Sequence, residues 1–239
     1  MTQARWDDRS RRLLGEEAYA RLRAARVLVA GVGGVGGYAA EMLVRSGVGD
    51  ITLVDSDTVD ITNLNRQIIA TLPDLGQPKT AVMARRAAAV NPELRVTALQ
   101  TALTPQNVAE ILGDGFDYVL DCIDTVAPKV ELLAECLRRR QPVVSSMGAG
   151  GRMDPSRVIY TDLWKTENDG LARAVRTRLR RLGLRRPLPV VASTEPPRSH
   201  SLIAVEADFK RSSYGTLAAV PATFGIFMAA RVIRNLSRL

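Results

Sequence analysis

Short apolar runs alternate with longer segments of helical periodicity up to about residue 148. Residues 27–30 and 118–120 are continuous apolar runs, which are typical of strands buried on both faces of a sheet. Apolar residues recur at helical spacing over about Glu16–Ala24 and in the alanine-rich stretch that begins at Lys79. Such alternation predicts an α/β fold with a Rossmann-like, doubly wound, mostly parallel sheet and right-handed crossovers.

The pattern changes after the glycine-rich residues 148–151. It predicts a strand over residues 157–162 and then a basic helix that ends near Leu182. The next segment is poorly periodic and rich in proline, so a mobile loop is predicted over about residues 187–213. A final apolar helix, at about residues 222–236, is predicted to complete the core or a dimer face. Pro221, Thr223 and Gly225 interrupt the apolar stretch 217–233 and argue against a membrane span.

A glycine turn follows the first predicted strand. Gly31, Gly33 and Gly36 have the G-x-G-x-x-G spacing of a nucleotide site. The first glycine permits a tight turn, the second lets backbone N–H groups approach a phosphate, and the third packs the helix closely on its strand. Asp55 closes the second predicted strand, where a ribose-binding acid is expected.

The glycine spacing alone does not separate nicotinamide, flavin and ATP sites. The next segment does, because it carries a dense polar cluster that a dehydrogenase does not need. An enzyme that uses ATP needs an arginine for phosphate charge, amides that orient the nucleotide, and carboxylates for Mg²⁺. The cluster consists of Asp57, Asn63, Asn65, Arg66 and Gln67.

Three more charged residues are predicted at the same edge of the sheet. Lys79 opens a helix, where its charge opposes the helix dipole, so phosphate binding explains it better than helix stability does. Asp121 and Asp124 follow the buried run at 118–120. For Asp121, helix capping and metal contact are equally good interpretations.

Taken together, these motifs resemble the ubiquitin-activating-enzyme superfamily, in its bacterial branch of molybdopterin-, thiamine- and tRNA-modifying adenylating enzymes. The motifs are RSRRLLG, GVGGVGG, DSDTVDITNLNRQ, LGQPK, Val90-Asn91-Pro92 and DCIDTVAPK. The resemblance implies one adenylating domain over residues 1–239. Residues 1–150 would be its nucleotide-binding half, and residues 151–239 its substrate, RNA-binding and dimer half.

The resemblance also implies roles for individual residues. Phosphates would lie along Gly31, Gly33, Gly34 and Gly36, with Asp55 on the ribose and Asp57 beside the nucleotide. The triphosphate would contact Asn63, Arg66 and Lys79, and Asp124 would hold Mg²⁺. Arg9 would reach into the partner subunit's site, which implies a homodimer. The implied catalytic residues are Arg9, Arg66, Lys79 and Asp124.

The second half of the chain indicates which branch is closest. The zinc-binding members carry two C-x-x-C pairs, whereas this chain has only Cys122 and Cys136, so no structural zinc is expected. The segments 145–181 and 193–195, the latter reading STE, resemble the tRNA threonylcarbamoyladenosine dehydratases. In that family ATP activates a carboxylate next to the anticodon, and the carbamoyl group closes on it with net loss of water.

Three alternatives remain open from the sequence. The nearest is an adenylyltransferase acting on the C-terminus of a small ubiquitin-like sulfur-carrier protein; a non-catalytic RNA-binding scaffold and a nicotinamide oxidoreductase are more distant. The sequence also leaves open whether a sulfur-relay or carrier protein is a partner.

Composition agrees with an RNA substrate. The net charge is +8, and only four of the 33 basic residues are lysine. Arginine binds phosphate in a bidentate manner and stacks on bases, although a basic stripe is also common on solvated faces. Two cysteines without a disulfide framework, and a start without an apolar signal core, indicate the cytoplasm and no membrane. The candidate tRNA-binding residues are Arg173, Arg176, Arg180, Arg181, Arg185 and Arg186.

Overall fold

The computed structural model describes residues 5–207 and 210–238, and it contains a seven-stranded sheet with the order β3-β2-β1-β4-β5-β7-β6. A separate two-stranded hairpin comprises β8 (Leu202–Ala207) and β9 (Lys210–Tyr214). The strands of the main sheet are β1 (Arg26–Ala30), β2 (Asp50–Val54), β3 (Arg95–Leu99), β4 (Tyr118–Asp121), β5 (Val143–Ser146), β6 (Val158–Asp162) and β7 (Pro189–Ser193).

Helices cover both faces of the main sheet. They are α1 (Asp8–Leu14), α2 (Glu16–Ala24), α3 (Gly36–Ser46), α4 (Lys79–Val90), α5 (Val108–Leu112), α6 (Val126–Arg139), α7 (Gly170–Arg181) and α8 (Ala219–Ser237). One core joins the sheet to α2, α3, α4 and α8, and the other joins it to α5, α6 and α7. Among the described residues, no helix is both long and apolar enough to cross a membrane.

The strand order places a crevice at one end of the sheet. All strands of the main sheet are parallel to their neighbours except β6, which is antiparallel to β7. From β1 the chain proceeds outward through β2 and β3 and then returns to β4, on the other side of β1. Ligands of doubly wound sheets bind at such a reversal, beyond the carboxyl ends of the strands. The prediction of a doubly wound, mostly parallel sheet is confirmed.

The predicted elements of the first half match the structure closely. Val27, Leu28, Val29 and Ala30 are all fully buried, because β1 is covered on both faces. The predicted final apolar helix is α8, which packs directly on α3. A side chain on Gly225 would place its Cβ 2.3 Å from the Val35 carbonyl oxygen, so only glycine permits this approach.

Within residues 187–213 the structure has strands where the sequence predicts an irregular loop, so the loop assignment is wrong for those strands, and the mobility stays a prediction. Pro189–Ser193 forms β7, which lies between β5 and β6, and both Val190 and Val191 are buried. The hairpin β8–β9 follows. A strand that is buried on both faces does not need polar–apolar alternation, so β7 lacks that signal. The prolines around it also argue against a strand in the sequence. The division of the chain at residue 150 stays a prediction, although β6 and β7 join the sheet of the first half.

A buried carboxylate joins the first two helices. Asp7 is 2% exposed and accepts hydrogen bonds from Arg5 Nε at 3.1 Å, Arg11 Nε at 2.9 Å and the Tyr19 hydroxyl at 2.7 Å. Burial raises the pKa of Asp7, but these three donors outweigh it and hold that pKa far below its ordinary value. Asp7 therefore ties α1 to α2.

Replacing this carboxylate should destabilise the protein in a pH-dependent way. We expect Asp7→Asn to lower the free energy of unfolding at pH 7 by roughly 1–3 kcal/mol, because it weakens charge-assisted bonds from the buried Tyr19 and from two arginines to a buried carboxylate. Since the folded-state pKa is depressed, this stabilisation is present above the unfolded pKa of about 3.9 and is lost as the pH falls further. Urea unfolding between pH 7 and pH 3 measures the difference.

The matched control is Glu17→Gln, which removes an ion pair whose carboxylate is 91% exposed, and we expect it to change stability little. A difference between wild type and Asp7→Asn that stays constant over the whole pH range would contradict this account of Asp7.

Candidate nucleotide-binding site

The glycine turn between β1 and α3 has almost no room for side chains. Gly31 has a φ of +87° and donates its N–H to the Val54 carbonyl oxygen at 2.7 Å. A Cβ on Gly31 would lie 2.9 Å from the Cys122 carbonyl oxygen, and one on Gly36 would lie only 1.7 Å from the Gly31 carbonyl oxygen. The helix therefore begins directly against the end of β1, and its first N–H groups lie at the mouth of the crevice.

Asp55 lies immediately beyond β2 and is bound to this turn. Its carboxylate accepts the Val32 N–H at 2.6 Å and the Asp57 N–H at 2.9 Å. Burial holds the pKa of Asp55 above its ordinary value, although nearby Lys79 and the two N–H donors act in the opposite direction. The residue predicted to hold the ribose is thus oriented before any ligand arrives.

Lys79 is a buried cation with an exposed partner. Its side chain is 7% exposed, and Nζ lies 2.7 Å from a carboxylate oxygen of Asp57, which is 63% exposed. The Lys79 N–H also donates to the Asp57 carbonyl oxygen at 3.0 Å. The predicted start of α4 at Lys79 is confirmed. Because the Asp57 carboxylate is exposed, another anion can take its place at the Lys79 ammonium.

Asn63 and Arg66 lie on the loop that packs over the glycine turn. Asp60 and Asn63 form a reciprocal capping box, in which Asn63 Oδ1 accepts the Asp60 N–H at 3.1 Å. Arg66 donates to the Thr62 carbonyl oxygen at 2.7 Å and to Asn65 Oδ1 at 3.0 Å. A Cβ on Gly34 would lie 3.6 Å from Arg66 Cγ, so the arginine stem contacts the turn.

Both sequence interpretations of Asp121 are incomplete, because its main partner is Lys129, which the sequence analysis missed. Asp121 and Lys129 are fully buried and form an ion pair of 2.6 Å. The Asp121 carboxylate also accepts from the Ser145 hydroxyl at 2.5 Å and from the Ile123 N–H at 3.2 Å. The signal for Lys129 was a lysine on the apolar face of α6. This pair fixes the turn that leads to Asp124.

Asp124 is exposed just beyond β4, at the edge of the sheet that also carries the glycine turn. Its carboxylate accepts from the Thr125 hydroxyl at 3.3 Å. Within the described ranges, no group of three or more His, Cys, Asp or Glu side chains is arranged to hold a metal ion. One carboxylate at this edge still fits Mg²⁺, because that ion is commonly held by one or two carboxylates together with substrate phosphates and water.

The structure thus brings most predicted site residues together but leaves Arg9 outside. Arg9 is exposed on α1, and no hydrogen bond or ion pair links it to the crevice in the part of the chain that the structure describes. The two cysteines are not arranged for thiol chemistry. Burial raises the pKa of the Cys136 thiol to about 12, and it also raises the pKa of Cys122.

The basic helix α7 presents several exposed arginines, and the contact of Arg176 with tRNA stays a prediction, although this residue is only partly exposed. Its guanidinium turns inward and donates to the Leu163 and Thr166 carbonyl oxygens at 3.1 and 3.0 Å, so it anchors the helix. Arg180 lies 5.8 Å above the Trp164 ring, and the Trp164 indole N–H donates to the Arg186 carbonyl oxygen. The exposed arginines are Arg173, Arg178, Arg180, Arg181, Arg185 and Arg186.

A second buried network links this helix to the STE segment. Arg152 lies 3.4 Å from Asp169, the residue that caps α7, and donates to the Glu195 carbonyl oxygen at 2.8 Å. Asp169 also accepts the Gly148 N–H at 2.9 Å. Glu195 accepts the N–H groups of residues 153 and 154, and the second of these does most to hold the pKa of Glu195 below its ordinary value. The basic surface is therefore rigidly joined to the glycine-rich loop after β5.

Comparison with known proteins gives a consistent result. A sequence profile of the ThiF family matches residues 8–239. The chain is 42% identical to the tRNA threonylcarbamoyladenosine dehydratase of Bacillus subtilis (strain 168) over 236 residues, which cover 93% of this chain and 91% of that protein.

Solved structures show the same similarity. The Escherichia coli tRNA N6-threonylcarbamoyladenosine dehydratase in complex with ATP aligns with a TM-score of 0.90 and 38% identity, over 97% of this chain and 93% of that one. Its complex with AMP aligns with a TM-score of 0.89 and 39% identity over the same shares.

The similarity to sulfur-carrier enzymes is shorter. The chain is 36% identical to the Escherichia coli (strain K12) sulfur carrier protein ThiS adenylyltransferase over 147 residues, which cover 61% of this chain and 57% of that protein. The dehydratase resemblance extends over nearly the whole chain, so the comparisons favour it over the sulfur-carrier alternative.

The buried ion pair beneath the site gives a stability prediction. Lys129→Met should lower the free energy of unfolding by roughly 3–5 kcal/mol, because it leaves the Asp121 carboxylate buried without a cation. The double variant Asp121→Asn with Lys129→Met should be more stable than Lys129→Met alone, since no buried charge remains. Chemical unfolding of the two single variants and the double variant measures this coupling. Strictly additive effects would contradict a direct pair.

Proposed function

The chain belongs to the ThiF family, and from this premise we propose that it catalyses the ATP-dependent dehydration of threonylcarbamoyladenosine next to the anticodon of tRNA. The observation that carries the proposal is the meeting of the glycine turn with two cations, Lys79 and Arg66, at the carboxyl edge of the sheet. The near full-length similarity to dehydratases supports the choice of substrate.

The reaction begins with attack of a substrate carboxylate oxygen on the α-phosphorus of ATP, with pyrophosphate as the leaving group. The carbamoyl group then closes on the activated carbonyl carbon, and AMP departs with the former carboxylate oxygen. Because that second step is intramolecular, it needs little assistance beyond correct orientation. The oxygen lost as formal water therefore ends in AMP.

The first step needs charge neutralisation more than a protein nucleophile. The N–H groups at the start of α3 and the cations of Arg66 and Lys79 supply it, and Asn63 holds the loop that carries Arg66. Asp55 orients the ribose. When a nucleotide binds, its phosphate takes the place of the exposed Asp57 carboxylate on Lys79.

The Asp124 carboxylate would hold Mg²⁺, and the bound ion would supply charge neutralisation for the leaving pyrophosphate. Neither cysteine is needed for this step, because carboxylate activation by ATP does not require a protein nucleophile. We propose a cytoplasmic homodimer in which Arg9 of one subunit completes the partner's site. A sulfur-relay or carrier protein is not needed for this chemistry.

The experiment that tests the function directly is a product analysis. The protein is incubated with ATP, Mg²⁺ and tRNA that bears threonylcarbamoyladenosine. The tRNA is then digested to nucleosides under mild conditions, and the mass of the modified nucleoside is measured by mass spectrometry. We expect a nucleoside lighter by one water, formed only with ATP. An unchanged nucleoside, with AMP released only when a sulfur-carrier protein is added, would instead place the chain with the sulfur-carrier adenylyltransferases.

The proposed dimer predicts complementation between two inactive variants. Arg9→Ala and Asp124→Ala should each abolish turnover, because each removes charge stabilisation from every site. Mixed subunits should recover about a quarter of wild-type activity, since half of the dimers are mixed and one of their two sites is intact. The ATP-dependent dehydration rate measures this. Arg12→Ala, on the same helix, is the control and should stay active; no recovery on mixing would rule out action across the dimer.

The basic helix predicts a salt-dependent contact with tRNA. Replacing Arg173, Arg178 and Arg181 together by alanine should weaken tRNA binding, and each loss should reduce the slope of log affinity against log salt by about 1. Turnover at saturating tRNA should change little, because these residues lie outside the nucleotide crevice.

The control is a triple variant in which Arg45, Arg85 and Arg95 are replaced by alanine, so it loses the same charge from another part of the surface. The side chains of these three arginines are more than half exposed. Equal loss of tRNA affinity in the two triple variants would show that total charge, and not the α7 surface, determines binding.

A further inference from the structure

A second group of exposed arginines lies at the end of α6 and consists of Arg138, Arg139 and Arg140. Arg139 is engaged by the protein itself, because it lies 2.7 Å from Glu135 and donates to two carbonyl oxygens at the end of α5. Arg138 lies 3.4 Å from the same carboxylate, and an exposed pair of this length contributes little to stability. The Arg140 side chain has no hydrogen bond or ion pair among the side chains that the structure describes. Arg138 and Arg140 therefore present their charges to the surroundings of the protein.

The backbone of Arg140 makes arginine an unexpected residue at this position. Its φ is +57°, in the left-handed region that favours glycine because glycine has no Cβ. Arg140 directly follows α6 and caps it, and its N–H donates to the Leu137 carbonyl oxygen at 3.4 Å. Glycine would make the same backbone bond with less strain, so helix stability does not explain the side chain. A contact of the guanidinium with another molecule would explain it.

These two arginines adjoin the basic helix α7. Arg186, in the loop after α7, donates to the Leu137 carbonyl oxygen at 3.3 Å, so this loop lies against the end of α6. The two helices also pack on each other in the same core. Residues 170–190 contain seven arginines and no aspartate or glutamate. The positive surface of α7 therefore continues onto the end of α6.

The combined surface leads away from the crevice. α7 begins just beyond the carboxyl end of β5, where its capping residue Asp169 accepts the Gly148 N–H at 2.9 Å. Its 12 residues extend over about 18 Å. α6 likewise begins beyond the carboxyl end of β4, and its last residues lie toward the opposite end of the sheet. An RNA whose reacting nucleotide lies at the crevice can follow these arginines along the protein.

Double-stranded RNA is the ligand that fits such a surface. Its backbone carries regularly spaced negative charges, and proteins bind it mainly through phosphates and 2′-hydroxyls instead of base edges. Arginine pairs with phosphate in a bidentate manner. The anticodon loop of tRNA is closed by a short double-stranded stem, so a duplex backbone lies close to the nucleotide that the proposed reaction changes.

We propose that Arg138 and Arg140 bind backbone phosphates of the anticodon stem and so extend the tRNA-binding surface from α7 to the end of α6. The inference rests on the proposed function, since it takes tRNA as the substrate. It assigns a ligand to the charge of Arg138 and to the strained position of Arg140.

The test measures RNA binding by the double variant Arg138→Ala with Arg140→Gly. The probe is an unmodified RNA hairpin of the anticodon stem and loop, and fluorescence anisotropy gives its affinity over a range of salt concentrations. We expect the slope of log affinity against log salt to fall by about 2. Binding at about 0.15 M salt should be roughly 30-fold weaker, because two contacts with a slope of about 0.9 each account for that factor relative to about 1 M salt. The dehydration rate at saturating tRNA should stay unchanged.

The design separates a lost contact from a lost fold. Glycine suits the backbone of residue 140, so thermal unfolding should show that the double variant is at least as stable as Arg138→Ala alone. Replacing both arginines by lysine keeps the charges and should restore most of the salt dependence. The matched control is Arg234→Ala with Arg238→Gly, at the end of α8, where Arg238 is also an exposed cap with a φ of +59°. α8 belongs to the other core, so this control should bind the hairpin as the wild type does.

The outcomes distinguish this inference from the function on which it rests. An unchanged salt slope in the Arg138 and Arg140 variant, with dehydration of tRNA intact, would overturn the inference alone. Equal weakening in the α8 control would assign the effect to total charge and would also overturn it. Equal weakening with a single-stranded oligonucleotide of the loop would place the contacts outside the stem and overturn the assignment. Absence of both hairpin binding and dehydrated product in the wild type would overturn both proposals.

Discussion

The structure of the site depends on the absence of a side chain at Gly36. Because a Cβ there would lie 1.7 Å from the Gly31 carbonyl oxygen, α3 can begin only where glycine lets it meet the end of β1. That contact places the N–H groups at the start of α3 at the carboxyl edge of the sheet, between β2 and β4. Asp55 and Asp124 lie just beyond β2 and β4, which end at the same edge. Lys79 is the first residue of α4, which begins there.

The two buried lysines near this edge differ through the exposure of their partners. Lys129 faces the fully buried Asp121, so their pair is permanent and fixes the turn before Asp124. Lys79 faces Asp57, whose carboxylate is 63% exposed and can return to water when phosphate arrives. Lys129 therefore has a structural role, whereas Lys79 can exchange its carboxylate for a ligand. The burial of the carboxylate partner determines this difference.

The first half of the fold could be predicted because its signals are local. The spacing of Gly31, Gly33 and Gly36 and the apolar runs at 27–30 and 118–120 are contained in short windows. The features that the sequence did not predict come from long-range contacts. β7 is a strand only because β5 and β6 lie on either side of it, Arg176 turns inward to reach Leu163, and Lys129 is buried because Asp121 faces it. Arg9 lies outside the crevice of its own chain, so its role across a dimer stays a proposal.

If the crevice activates a carboxylate by transferring AMP to it, one carboxylate oxygen must end in AMP, so the path of that oxygen distinguishes adenylation from other kinds of activation. tRNA bearing threonylcarbamoyladenosine labelled with oxygen-18 in its carboxylate is treated with the protein, ATP and Mg²⁺, and the nucleotide products are weighed. Adenylation should give AMP that is two mass units heavier, because the carboxylate oxygen leaves on the α-phosphate. Label in inorganic phosphate together with ADP, or label found only in water, would contradict it.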